Sequence, residues 1–339
     1  MVRAVWKKLL SDASIQRSSQ NLSVIGGNAY IYGGELRPRE PVDSAIYRIS
    51  TDRGNASTTT ISAITGLPNT PQPRVGATST ALGGKIYIFS GRGGIAMAPI
   101  EEAGSLWVFD PVANAEQWSQ LKPSDSNAPY PAGRSYHAVT NNGKDTIFIH
   151  AGCPEKGRLR DLWAFNISTR AWTELPQAPG PERGGPSIAY HDGKLYRMNG
   201  FDGKTEQGGA LDVFDLAANA WNTITFAADG TNGPAARSVS SLLSLPIGGK
   251  PSLVTMFGEH DPSSLGHQGA GKMLPDVWVF DIESKTWSKV ELDGEVPPPR
   301  GWFDADVADG SPSGIVVHGG LAESNERLGD VWLLKFESS

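Results

Sequence analysis

The segment 258–267, GEHDPSSLGH, concentrates side chains that bind metals in proteins. Glu259 and His267 are eight residues apart, with a proline and a glycine between them that can turn the chain back. A carboxylate and an imidazole that converge can bind a borderline divalent ion such as Fe(II). Asp261 and Ser263 are candidate further ligands. The spacing alone leaves a second interpretation open, in which Asp261 begins a polar turn and the histidines are solvated.

Three arginines are candidates for binding an anion. Arg92 and Arg158 lie outside the regular repeat described below, and Arg160 follows two residues later. Guanidinium groups bind sulfate, phosphate or carboxylate through paired donors. We therefore predict a small anionic substrate, with Arg92, Arg158 and Arg160 as its binding residues.

Six internal repeats predict the fold that positions these residues. In each repeat an apolar, alternating strand pattern ends in a doublet that closes with glycine, and a polar loop and a second strand follow. A period of about 50 residues with such doublets is typical of kelch blades. We predict an all-β fold, a six-bladed kelch β-propeller that forms a single domain over residues 1–339. The doublets are Gly33-Gly34, Ser90-Gly91, Ala151-Gly152, Asn199-Gly200, Phe257-Gly258 and Gly319-Gly320.

The sixth repeat lacks the tryptophan strand that the four middle repeats carry, and the chain ends at DVWLLKFESS. The N-terminal segment WKKL (6–9) resembles WTEL (172–175) of the third repeat. We predict that the N-terminal strand completes the last blade, which removes an open sheet edge.

An arginine precedes each doublet, at intervals of 49 to 63 residues, and opens the innermost strand of its blade. We interpret these six arginines as structural, bonded to neighbouring carbonyls. They are Arg17, Arg74, Arg134, Arg183, Arg237 and Arg300.

Equivalent positions in successive blades lie on one face of a propeller, so the loops after the doublets share one rim. These loops are rich in charge for a chain with only 19% charged residues. They contain Arg92, Arg158 and the whole of 258–267. Loops on a rigid scaffold are where binding residues concentrate.

Composition limits the function classes. The formal net charge of −6 argues against a nucleic-acid partner, and no segment is apolar enough for a signal peptide or a membrane span. The lone cysteine, Cys153, excludes a disulfide framework within the chain. We expect a soluble, cytoplasmic protein, with a nuclear location and a homodimer left open.

Eight short motifs in register resemble the kelch-type specifier proteins of glucosinolate breakdown: the epithiospecifier, nitrile-specifier and thiocyanate-forming proteins. The resemblance covers essentially the whole chain. The motifs are GGELRPREPVD (33–43), IYIFSGRGG (86–94), RLRDLWAFN (158–166), PERGG (181–185), ARSV (236–239), FGEHDPSSLGHQGAG (257–271), RGW (300–302) and HGGLAESNERLGDVW (318–332).

The resemblance implies a non-haem Fe(II) protein that directs an unstable thiohydroximate-O-sulfate towards nitriles, epithionitriles or thiocyanates. The family's iron ligands follow a Glu-x3-Asp-x3-His pattern, which places Glu259 and His267 as ligands here and favours the metal interpretation of the segment. Ser263 stands where the family has aspartate, and Asp261 could take over that role. The resemblance further implies that Arg92 and Arg158 hold the sulfate and act in catalysis with Glu259.

Three hypotheses follow. The first is a nitrile-specifier-like, Fe(II)-dependent lyase. The second is a different reaction of a small anionic metabolite on the same scaffold, motivated by Ser263 and by a short fourth rim loop. The third is a non-enzymatic kelch module that binds a protein partner on its rim.

Overall fold

The computed structural model describes residues 2–51, 59–112, 116–309 and 314–337. Within these ranges the chain forms β-strands and two single-turn 3₁₀ helices, Ala13–Ile15 and Gly266–Gln268. None of the helices in the described ranges has the length and hydrophobicity needed to cross a membrane.

The strands form six antiparallel, four-stranded blades. From the innermost strand outwards, blade 1 is Asn21–Ile25, Asn28–Tyr32, Ile46–Ser50 and Ile61–Ile64; blade 2 is Thr78–Leu82, Lys85–Phe89, Leu106–Asp110 and Gln117–Leu121; blade 3 is Ala138–Asn141, Thr146–Gly152, Leu159–Asn166 and Ala171–Leu175. Blade 4 is Ser187–His191, Lys194–Met198, Ala210–Asp215 and Ala220–Thr225; blade 5 is Ser241–Ile247, Lys250–Met256, Val277–Asp281 and Thr286–Asp293; blade 6 is Asp304–Ala308, Gly314–His318, Asp330–Phe336 and Val2–Ser11. Three rim loops form short hairpins, Glu35–Arg37 with Glu40–Pro41, Arg92–Gly93 with Ala98–Pro99, and Glu259–Asp261 with Lys272–Met273.

The burial of each strand follows its place in the blade. The second strand of blade 3, Thr146–Gly152, is buried at every residue after the first, because neighbouring blades cover both of its faces. The outermost strands of blades 2 to 5 mix exposed residues with one tryptophan, which is buried in blades 2 and 3 (Trp118 and Trp172) and half-buried in blades 4 and 5. In four blades that tryptophan lies opposite a phenylalanine of the third strand, with ring centroids 4.8–5.1 Å apart. These cross-strand aromatic pairs hold the outer strand on the blade.

The N-terminal strand closes the last blade, as predicted. Val2–Ser11 pairs antiparallel with Asp330–Phe336, and Trp6 lies opposite Leu334, in the position that the other blades give to their tryptophan. The same strand also runs parallel to Thr286–Asp293 of blade 5, so blades 5 and 6 share one continuous sheet. The all-β, six-bladed kelch propeller is confirmed.

Six residues in left-handed backbone conformation form a closed ring around the axis, which we call the axial ring. Each donates its N–H to the carbonyl of the equivalent residue in the preceding blade, over 2.7–3.2 Å. Their φ angles lie between 46° and 63°. This conformation is unfavourable for a β-branched or bulky residue, so the ring must be stabilised by its hydrogen bonds. The members are Ser19, Gly76, Tyr136, Gly185, Val239 and Trp302.

Below the axial ring the six innermost strands enclose an axial cavity of about 330 Å³. Three aspartates line or flank it on blade 6 and join that blade to blade 1. Asp304 accepts from the N–H of Leu22 at 2.6 Å, and Asp306 accepts from the N–H of Val24 at 2.8 Å. Asp309 continues the series on Gly27 at 3.0 Å.

Candidate functional site

The residue after each doublet pairs with the residue after each repeat arginine, which brings six equivalent positions together around the rim. The pairs are Ser18 with Glu35, Val75 with Arg92, Ser135 with Cys153, Gly184 with Phe201, Ser238 with Glu259, and Gly301 with Leu321.

The six repeat arginines are structural, as interpreted from the sequence. Each donates from Nη1 to the carbonyl of the first doublet residue, over 2.8–3.1 Å. Five of them also pair with a carboxylate; Arg134 meets Asp161 at 2.6 Å, for example. Arg183 is the exception, because no acidic group among the described residues forms an ion pair with it.

Sequence reasoning missed these acids, although a signal exists in three of the blades. Asp161, Asp276 and Asp330 each stand two residues before a strand tryptophan, whose indole N–H donates to the same carboxylate at 2.7–2.9 Å. The motif Asp-x-Trp therefore marks the partner of the arginine.

Arg158 is a rim arginine whose guanidinium forms no ion pair with a described residue. Its guanidinium lies 5.1 Å above the ring of Phe201 on blade 4. Its Nε is buried without a hydrogen-bond partner, and no described residue forms an ion pair with it. Gly203 makes room for the group, since a Cβ there would come within 2.7 Å of Nη1. A guanidinium with unused donors can bind an anion.

Arg92 also lies near Cys153, but its donors are largely taken. Nε donates to Ser135 Oγ at 2.8 Å, and Nη2 donates to the carbonyl of Pro154 at 2.6 Å. Nη1 donates to the carbonyl of Met97 at 3.2 Å. Arg92 therefore ties the rim of blade 2 to that of blade 3.

Cys153 lies between these two arginines. Burial raises the pKa of its thiol, although the charges of Arg158 and Arg92 oppose the shift. The thiol therefore stays protonated at neutral pH, in keeping with a packed side chain.

Arg160 is not brought to this site. It is exposed, and it donates to Gln177 Oε1 at 3.2 Å and to the carbonyl of Gly180 at 3.3 Å. These partners lie on the connection between blades 3 and 4, away from Phe201.

Glu259 is 5% exposed and its own loop wraps around it. Oε1 accepts from the N–H of Gly271 at 3.1 Å, and a Cβ on Gly271 would lie 2.4 Å from that oxygen. Burial raises the pKa of Glu259 to about 7, although the amides of Gly271 and Ser263 favour the ionised form.

The other residues predicted as ligands are placed less favourably. Asp261 is exposed, and the Ser263 hydroxyl accepts from the N–H of Leu265 at 3.1 Å within the turn. The side chain of His267 lies outside the described residues. Among the side chains that are described, no three histidines, cysteines, aspartates or glutamates gather as a metal site.

Glu206 in the fourth rim loop was not predicted from the sequence. Both of its carboxylate oxygens are buried and without a hydrogen-bond partner. Burial raises its pKa to about 8; the Ser238 hydroxyl is close enough to oppose the shift, although its position falls short of hydrogen-bond geometry, and the negative charge of Glu259 adds to the shift. Glu206 and Glu259 are therefore close enough for their charges to interact across the junction of blades 4 and 5.

The blades, their doublets and their loop-bearing rim define a kelch-type propeller. The chain belongs to the KLHDC2/KLHL20/DRC7 Kelch-repeats domain family, whose model matches residues 19–258. It is 27% identical to the N-(sulfonatooxy)prop-2-enimidothioate sulfolyase of Thlaspi arvense, over 95% of this chain and 93% of that protein. This similarity confirms the resemblance to the specifier proteins, and the chain is a specifier-like kelch protein.

Two other similarities concern the scaffold. The chain is 23% identical to the leucine-zipper-like transcriptional regulator 1 homolog of Drosophila melanogaster, over 81% of this chain but 27% of that protein. The solved structure of YjhT superposes with a TM-score of 0.70 at 16% identity, over 97% of this chain and 99% of that one. The propeller fold is thus shared with proteins of distant sequence.

Proposed function

We propose that this protein is a specifier-like lyase that acts on a small anionic, sulfur-containing substrate of the thiohydroximate-O-sulfate class and releases a nitrile or a related product. The observation that carries the proposal is Arg158, a cation stacked on Phe201 with no hydrogen bond or ion pair to another described residue. The full-length similarity to a sulfolyase supports it.

Arg158 would bind the sulfate group of the substrate and stabilise it as a leaving group. As the N–O bond breaks, its electron pair leaves with the sulfate, and a positioned guanidinium stabilises the charge that develops there. For a nitrile product the electron pair of the C–S bond becomes the third C–N bond, and the sulfur departs as zero-valent sulfur. Phe201 holds the guanidinium plane in place through the cation–π contact. Arg92 would contribute through position, because it fixes the loop of blade 3 that carries Arg158.

The Fe(II) that the resemblance implies fits one feature of this rim. The carboxylate oxygens of Glu206 are buried and have no hydrogen-bond partner, and Glu206 is close enough to Glu259 for their charges to interact. Carboxylate oxygens of this kind suit a divalent ion. Glu259 and His267 would hold the ion, with Asp261 and Ser263 nearby in the same loop. When bound, the ion would supply a Lewis acid for the substrate sulfur.

The test compares Arg158→Gln with Arg160→Gln. Loss of a charged hydrogen-bond donor to an anion costs about 1.5–3 kcal/mol, so kcat/KM for nitrile formation from a thiohydroximate-O-sulfate should fall about 10- to 100-fold in Arg158→Gln. Arg160→Gln, which removes an equal charge from an exposed site, should stay within about twofold of wild type. Equal effects of the two variants, or none, would contradict the proposal.

A different reaction on a small anionic metabolite is the second candidate. Ser263 favours it, since its hydroxyl is held in the turn where the family pattern has an aspartate. Binding of inorganic sulfate that depends on Arg158, together with no nitrile formation, would support this candidate over the first.

A further inference from the structure

At the junction between blades 6 and 1, two rim residues form an ion pair. Arg327 pairs with Leu321, the residue after the doublet of blade 6, and its Nη2 lies 3.3 Å from Oε1 of Glu35 on blade 1. Both side chains are buried. Oε2 of Glu35 also accepts from the N–H of Arg39 in its own loop, at 2.7 Å. A rim glutamate of one blade is thus neutralised by a rim arginine of the preceding blade.

The junction between blades 4 and 5 has equivalent backbone positions but carries different side chains at them. Glu206 pairs with Phe201, the residue after the doublet of blade 4, and so takes the place of Arg327. Glu259 takes the place of Glu35, because it follows the doublet of blade 5 and is also held by an amide of its own loop. Carboxyl groups therefore occupy both of the positions that hold a cation and a carboxylate at the other junction.

Neither carboxyl group has a cationic partner from the protein. Within the described ranges, no lysine, arginine or histidine forms an ion pair with Glu206 or Glu259. Both oxygens of Glu206 are buried and unpartnered, which is costly unless something binds them. Asp202 and Asp261 add to the negative field on Glu206. Among the described residues, the position that a guanidinium fills at one junction thus has no protein cation at the other.

We propose that Glu206 and Glu259 together bind one divalent cation at the junction of blades 4 and 5, with Glu206 supplying the second carboxylate that Ser263 cannot supply. Carboxylate oxygens are ligands for Fe(II) and Mn(II), while a neutral serine hydroxyl is a poor one. The ion is the one that the proposed function uses, so this inference rests on that function for the ion's role but not for its binding.

The test measures binding of the metal alone by the full chain. Wild type, Glu206→Gln, Glu259→Gln and Glu155→Gln are titrated with Mn(II), followed by electron paramagnetic resonance of the free ion, and repeated anaerobically with Fe(II). Wild type should bind one ion saturably. Glu206→Gln and Glu259→Gln should each weaken Kd at least about tenfold, since even residues that only support a ligand cost that much. Glu155→Gln, at an exposed rim position, should bind as wild type.

A fifth variant tests the equivalence of the two junctions. Glu206→Arg should recreate the ion pair of Arg327 with Glu35, so it should abolish Mn(II) binding and raise the melting temperature of the metal-free protein. Melting curves of every variant with and without Mn(II) separate lost ligands from lost folding.

The outcomes distinguish this inference from the proposed function. Wild-type affinity in Glu206→Gln overturns the role of Glu206, even if Glu259→Gln loses the ion. Absence of saturable binding in wild type means that the two carboxyl groups share a proton and hold no metal. Either result leaves the Arg158 comparison standing, and failure of that comparison with intact Mn(II) binding leaves this site standing.

Discussion

Arginines serve two purposes in this protein, and the surroundings of each arginine decide which purpose it serves. The repeat arginines are buried and donate to doublet carbonyls, and five of them also pair with a carboxylate. Arg158, on the rim, has a buried Nε without a hydrogen-bond partner and is the residue that we propose binds the substrate. A buried ion pair contributes most visibly when one partner is removed, since the other charge is then stranded.

Arg134 and Arg183 allow this to be measured, because they occupy the same position in adjacent blades. Arg134→Met strands the carboxylate of Asp161 and should lower the free energy of unfolding by about 3–5 kcal/mol. Arg183→Met removes the same volume and the same carbonyl bond but strands no acid, so it should cost less, about 1–3 kcal/mol. Urea unfolding measures both. Equal losses would mean that the carboxylate partners contribute little.

The residues of the site were predictable only in part. Arg158 and Glu259 stand out because their loops share a rim by repeat phase. Glu206 does not stand out, because its significance comes from a residue 53 positions later on another blade. Only superposing the loop of Glu206 on that of Arg327 would have shown a glutamate in an arginine's place. The orientation of Arg160 was likewise unpredictable, since side-chain direction at the end of a strand depends on the local pairing.

At the scale of elements, the N-terminal strand shows how much of the strand pairing the repeats predict. A missing tryptophan strand at one end of the chain and a spare one at the other predicted the pairing of Val2–Ser11 with Asp330–Phe336, which the structure confirms. The additional parallel pairing with blade 5 was not predictable, because it depends on how closely adjacent outer strands approach.

Trp6 should be the residue through which this strand stabilises the propeller. It is 4% exposed, and its ring lies 5.7 Å from that of Phe257 and 6.5 Å from that of Trp332. Trp6→Ala should lower the free energy of unfolding by about 3–5 kcal/mol, whereas Val5→Ala, on the exposed face of the strand, should cost less than about 1 kcal/mol. Chemical unfolding measures the difference. Similar losses would mean that the strand contributes mainly through its backbone pairing.

At the scale of the whole molecule, the last and first blades are joined by carboxylates that face the axial cavity. Asp304 and Asp306 are half-buried at the cavity wall, and desolvation by the surrounding protein raises their pKa values to about 7 and about 6. A carboxyl group whose pKa is raised in the folded state stabilises the fold below its unfolded value, near 4, and that stability is lost as pH rises through the folded value.

Asp304→Asn should therefore flatten part of the pH dependence of stability. Asparagine can still accept from the N–H of Leu22 but carries no charge. Between about pH 4 and pH 7 the unfolding equilibrium constant of wild type should rise relative to the variant by up to tenfold per pH unit. Urea unfolding at pH 5 and pH 8 gives the difference, and comparison of the two proteins cancels the opposite contributions of buried histidines such as His318, whose pKa is lowered to about 3 by burial. A constant difference across this range would contradict the raised pKa.

The axial ring has a consequence for how small molecules reach and leave the rim. Its six hydrogen bonds join the blades around the axis, and its members line the cavity, so the ring stands between the rim loops and the cavity below. On the proposed function, substrate and product would share one path, from the rim side. Product that stays bound to Arg158 would then block binding of the next substrate, and added sulfate should inhibit competitively.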